Sequence, residues 1–257
     1  MMRRLMALLI CLLLPVAAHA ASKLSDFAFH QHPGEQVPMD VPLQDETGHA
    51  VHLRDAMAGR PAILVLGYLH CPNLCGLVRD DVFHALSQSG LRPNQYSLLI
   101  LSIDPAETNA DAATAKRQDL ARYPLPGAEA NWRYLTGPAN SLHQIADSVG
   151  FRYRYDPLLK QFLHPAGLVF LNATGRISGY LLGVGYSPGD LALGVTRAGN
   201  GGIEQAATPV LLLCFQFDPT TGRYTLATTK VLQLAGLLTV LTLGGLIALA
   251  LRRERSR

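Results

Sequence analysis

"AILVLGYLHCPNLCGLVRDD", residues 62–81, decides how the rest of the chain is read. The run at 61–69 is short and wholly apolar, as in a strand buried on both faces. Two cysteines with three residues between them, Cys71 and Cys75, break it. Over residues 76–89, Leu77, Val78, Val82, Ala85 and Leu86 then recur at helical spacing. A strand that turns into a helix through two thiols sets them at the carboxyl end of a sheet, where open α/β sheets hold their ligands. A helix start adds unsatisfied N–H groups and partial positive charge, and both favour a thiolate. Positions i and i+4 share a helix face, so both sulfurs can aim at one point.

The pattern repeats outward from this junction. A hairpin is expected around "DETGHAVHL", turning at Thr47-Gly48. "YSLLILSID" (96–104) reads as a second buried strand ending in an acidic turn. Residues 109–123 read as a helix capped by Asn109. "NWRYLTG" is a short strand, and Asn140 or Ser141 opens a helix that Gly150 stops. "GLVFLNATGRISGYLLG" reads as strand, turn at 172–175, strand, and "SPGDLALGVTRAG" as a last helix with Pro188 in its first turn. "FDPTTGRYTL" reads as one more hairpin. Strands alternating with helices, then a hairpin and helix, give an α/β sandwich with a mixed sheet. "GVGYSPG" (183–189) lacks dinucleotide-fingerprint spacing, and no phosphate-binding loop occurs.

The ends read differently. Residues 1–20 carry Arg3 and Arg4, an apolar run, then Ala18-His19-Ala20, the order of a secretory signal peptide cleaved after Ala20. Residues 231–251 hold no charge, and 21 residues at about 1.5 Å each span roughly the 30 Å of a bilayer core. "RRERSR" (252–257) follows, and four arginines mark the cytoplasmic side. The expected organisation is therefore signal 1–20, extracytoplasmic domain 21–229, transmembrane helix 230–251 and cytoplasmic tail 252–257. In a bacterium this is a single-pass inner-membrane protein with its main domain in the periplasm. Without leader and tail, the formal charge of +3 becomes about −2 over residues 21–251, which leaves no basic surface to argue for nucleic acid.

Export allows a thiol pair to be oxidised. A staple across so short a loop gains little chain entropy, so Cys71 and Cys75 read as a redox pair or a metal clamp. Two thiolates suit Cu(I) far better than Mg²⁺ or Ca²⁺, and a closed zinc site needs a second pair that the chain lacks. His164, in "QFLHPAGLVFLN", is the candidate third ligand. His70 reads as a packing or rim residue rather than a ligand, and Cys214 as a buried small hydrophobe.

"GYLHCPNLC" after one strand, "LSIDP" after the next and the late "FLHPAGLVFLNATGRI" resemble the Sco/SenC family of copper-binding proteins, over about Val37 to Gly202. The resemblance implies a thioredoxin-like fold and copper, Cu(I) or Cu(II), on Cys71, Cys75 and His164. It gives Asp104, in the "DP" pair, a supporting role near the site. It also implies a chaperone for the copper site of cytochrome c oxidase, with subunit II or another copper protein as partner. The chain departs from the family at Gly76, at Leu163 and Pro165 beside the histidine, at "AETNAD" after "DP", and in its C-terminal anchor. The alternative function is a thiol-disulfide oxidoreductase that keeps partner cysteines reduced. A peroxide-reducing enzyme ranks last, because "YLHC" lacks the threonine of a TxxC setting.

Overall fold

The computed structural model describes residues 29–70 and 74–205, then 215–218, 223–226, 236–242 and 244–245. The chain divides into two units, Met1–Ala206 and Ala207–Arg257. The expected domain 21–229 thus crosses their boundary.

In the first unit, β1 (Pro42–Gln44) and β2 (Ala50–His52) form the expected antiparallel hairpin. Its turn is held by Asp45, whose Oδ1 accepts from the amides of Thr47 and His49. Helix α1 (Leu53–Met57) follows, then β3 (Ala62–Gly67), α2 (Leu74–Gln88) and β4 (Ser97–Ser102). Helix α3 covers Asn109–Arg122, α4 Ala128–Asn131, β5 Trp132–Leu135 and α5 Ala139–Ser148. A second hairpin, β6 (Arg154–Asp156) and β7 (Gln161–Leu163), precedes β8 (Gly167–Leu171), β9 (Ile177–Leu182) and α6 (Pro188–Gly199).

Five strands form one sheet in the order β5-β4-β3-β8-β9. β3, β4 and β5 run parallel, whereas β8 is antiparallel to both β3 and β9. This is the mixed-sheet, thioredoxin-like sandwich that the sequence implied. Side chains alternate across a strand. Leu64, Leu66, Leu99, Leu101, Val169 and Leu171 therefore join the core beneath α1 and α5, together with Leu53, Met57, Leu142 and Ile145. Ile63, Val65, Leu98, Ile100 and Phe170 are buried on the opposite face, where α6 packs on β3 and β8. On that face Phe83 stacks on Trp132 at 4.7 Å. Gly194 lets α6 lie against the Phe170 ring, since a Cβ there would stand 2.4 Å from it.

Two local expectations are corrected. Helix α3 is capped by Thr108, not Asn109: Thr108 and Asp111 form a reciprocal capping box. Helix α5 opens at Ala139 after Pro138, ahead of Asn140 and Ser141. Helix α2 begins at Leu74, so that Cys75 falls in its first turn, as the strand-to-helix reading expected. Gly150 does end the α5 region, at φ +66°, and a Cβ there would overlap the His30 carbonyl oxygen.

In the second unit, β10 (Phe215–Asp218) pairs antiparallel with β11 (Arg223–Leu226), as "FDPTTGRYTL" implied. Of the expected span 231–251, residues 236–242 and 244–245 are helical, and the rest lies outside the described residues. Among the described residues no helix is long and apolar enough to cross a membrane. The signal segment 1–20, the tail 252–257 and Cys214 also lie outside them.

Candidate metal centre

The topology brings two distant parts of the sequence to one end of the sheet. β3 leads through residues 68–70 toward the cysteines, and α2 starts at Leu74. Because β8 is antiparallel to β3, its beginning lies beside the end of β3, with Leu168 opposite Val65. His164 stands three residues before β8, so this pairing carries it to the exit of β3. Its ring packs at 5.9 Å from Tyr68 and 5.5 Å from Phe151. It lines a narrow cleft with Gly67, Tyr68 and Leu69 from the β3 exit and Val78 and Arg79 from α2. Val78 and Arg79 follow Cys75 by three and four residues, the spacing of one helix face. Cys75 is the second residue of α2, and Cys71 and both side chains lie outside the described residues.

The imidazole is oriented. His164 Nδ1 lies 2.8 Å from the Pro165 carbonyl oxygen, which only accepts, so Nδ1–H is the donor. The neutral ring then carries its acceptor lone pair on Nε2. Metal-ligating histidines are commonly set in this way by a backbone carbonyl. No peptide bond among the described residues is cis, His164–Pro165 included.

The two flanking acids divide their work unexpectedly. Asp104 shapes the turn after β4: its Oδ1 accepts from the Ala106 amide at 2.9 Å. The carboxylate that reaches the β3 exit is Glu107, whose side chain is 4% exposed. It accepts from the amides of Leu69 and His70 at 2.8 and 2.7 Å and from the Ser102 hydroxyl at 2.5 Å. Sequence reasoning missed Glu107, which lies in the segment that departs from the family pattern. Its only cue is its place three residues after Asp104, just before the cap of α3. The His70 ring faces Glu107 at 3.2 Å and Asp111 at 3.5 Å, a rim position.

Arg79 ties α2 to α3. It lies 3.4 Å from Asp119, which also accepts from the buried Tyr134 hydroxyl at 2.7 Å. Burial pushes the Asp119 carboxyl above the usual carboxylate range, against the pull of Arg79 and Tyr134. Burial, and then the nearby Asp119 charge, push the Tyr134 phenol far up.

A family model described as SCO1/SenC matches residues 29–197. The chain belongs to the SCO1/SenC family. No curated protein matches it. Among solved structures it is similar to a putative electron transfer protein from Aquifex aeolicus VF5, with 24% identity over 66% of this chain and 95% of that one and a TM-score of 0.57. It is also similar to Bradyrhizobium japonicum ScoI with copper bound, at 20% identity, 64% and 99% coverage and a TM-score of 0.51. BsSco, described as a Sco-family cytochrome c oxidase assembly protein with a disulfide switch, matches at 18% identity, 66% and 97% coverage and a TM-score of 0.52. At these identities the likeness speaks for the SCO1/SenC fold.

Proposed function

We propose that this chain is a membrane-anchored copper chaperone. It takes copper as cargo on Cys71, Cys75 and His164 and passes it to the copper site of cytochrome c oxidase, in subunit II or another copper protein. The observation that carries this reading is the antiparallel β3–β8 pairing, which brings His164 into a cleft shared with Val78 and Arg79 of the helix that holds Cys75. Two sulfurs and one imidazole form a donor set suited to copper, and the Pro165 carbonyl turns Nε2 into the ligating atom. Copper bound to B. japonicum ScoI and the oxidase-assembly description of BsSco support the same reading.

The proposed placement is a periplasmic domain held to a bacterial inner membrane by residues 231–251, with 252–257 in the cytoplasm. Leu237, Leu238, Val240 and Leu241 are exposed on the described helical turns, as lipid-facing residues would be.

Titration of the reduced full-length chain with Cu(I) tests the cargo site. One copper per chain is expected. Cys71→Ala, Cys75→Ala or His164→Ala should each weaken binding by more than the ~10–100-fold that losing an outer-shell partner costs. Binding that His164→Ala leaves unchanged contradicts the proposal. The disulfide switch of BsSco favours thiol-disulfide exchange as a second reading. Oxidase assembly that survives His164→Ala but fails in Cys71→Ala would select exchange over copper delivery.

A further inference from the structure

Glu107 has no part in the reading so far, yet it is the most enclosed carboxylate beside the cleft. Its side chain is 4% exposed, and both oxygens are used. Oε2 accepts from the Leu69 amide and the Ser102 hydroxyl, and Oε1 from the His70 amide. Ser102 ends β4, and Leu69 and His70 lie two and three residues past the end of β3. One carboxylate therefore joins the exits of two neighbouring parallel strands. The Glu107 amide is fixed in turn on the Asp104 carbonyl at 3.1 Å. Cys71 is bonded directly to His70, so the last tethered amide before the first thiol belongs to the adjacent residue.

We propose that Glu107 is a positioning residue for the copper site: it fixes the backbone of Leu69 and His70, the residues immediately before Cys71 in the sequence. This rests on the copper reading above. A buried carboxylate that takes two backbone N–H groups and a hydroxyl forms charge-assisted hydrogen bonds, which are shorter and stronger than neutral ones. Preorganised ligands lose less freedom when the metal arrives.

The test compares full-length wild type, Glu107→Gln and Glu107→Ala in two measurements. In apo protein, amide exchange at Leu69 and His70 should speed at least tenfold in Glu107→Ala and less in Glu107→Gln, which keeps one acceptor oxygen. In competition with a chromogenic chelator, Cu(I) affinity should fall ~10–100-fold in Glu107→Ala and be partly restored in Glu107→Gln. A lower melting temperature with unchanged Cu(I) affinity in both variants would reduce Glu107 to a structural strut and overturn the proposal. Unchanged exchange at the two amides would overturn it as well. A wild type that takes up no Cu(I) refutes the copper reading instead, and the exchange data then still judge the clamp.

Discussion

The two flanks of the cleft are held by different forces. On the cysteine side the ties are polar and buried: Glu107 on the β3 exit, and the Arg79–Asp119–Tyr134 chain under α2. On the histidine side they are rings. His164 sits between Tyr68 and Phe151, and Phe151 in turn touches Phe29 and Tyr153. Hydrogen bonds fix direction and are sensitive to charge and pH, whereas ring packing fixes position through contact area and responds to volume. The cleft thus has one flank whose geometry is set by polar bonds and one set by packing.

The largest expected effect breaks the packed flank. Phe151 is 1% exposed, and Phe151→Ala should cost about 3–5 kcal/mol of stability in urea denaturation, because the ring leaves a cavity in the core. Cu(I) affinity should fall with it, and a loss under about 1 kcal/mol would show that the rings do not carry this side.

An intermediate effect separates the flanks by pH. The folded Asp119 carboxyl binds its proton more tightly than the ordinary value of 3.8. In the window above that value the folded chain therefore holds more protons than the unfolded one, so its stability contribution falls as pH rises. Asp119→Asn cannot titrate and should flatten the profile of unfolding midpoint in the pH window above the ordinary carboxylate value. Parallel profiles for the two chains would contradict a buried, proton-holding Asp119.

The smallest effect is a control on the hairpin that leads to His164. Leu158, at its tip, is 92% exposed, and Leu158→Ser should change stability by less than about 0.5 kcal/mol and leave Cu(I) affinity alone. A larger change would mean that the tip helps to hold the ring flank.

What the sequence revealed follows the same division. β3, β4 and β8 were legible because strands buried on both faces leave unbroken apolar runs. The β6–β7 hairpin was not: its strands have three residues each, none of them fully buried, too short for any period to register. The cap of α3 was misplaced by one residue, although Thr108 and Asp111 carry a readable capping-box spacing. His164 could be named as a candidate from its place before an apolar strand, but only the family resemblance favoured it as a ligand, because strand order, not local pattern, brings it to the β3 exit. Glu107 was invisible, since nothing local distinguishes a buried acid in a turn from a solvated one.

X-ray absorption of the Cu(I)-loaded full-length chain probes most directly whether a remote imidazole meets the two thiols. Two sulfur neighbours and one nitrogen are predicted, with the nitrogen lost in His164→Ala. Identical spectra from both chains would contradict the account.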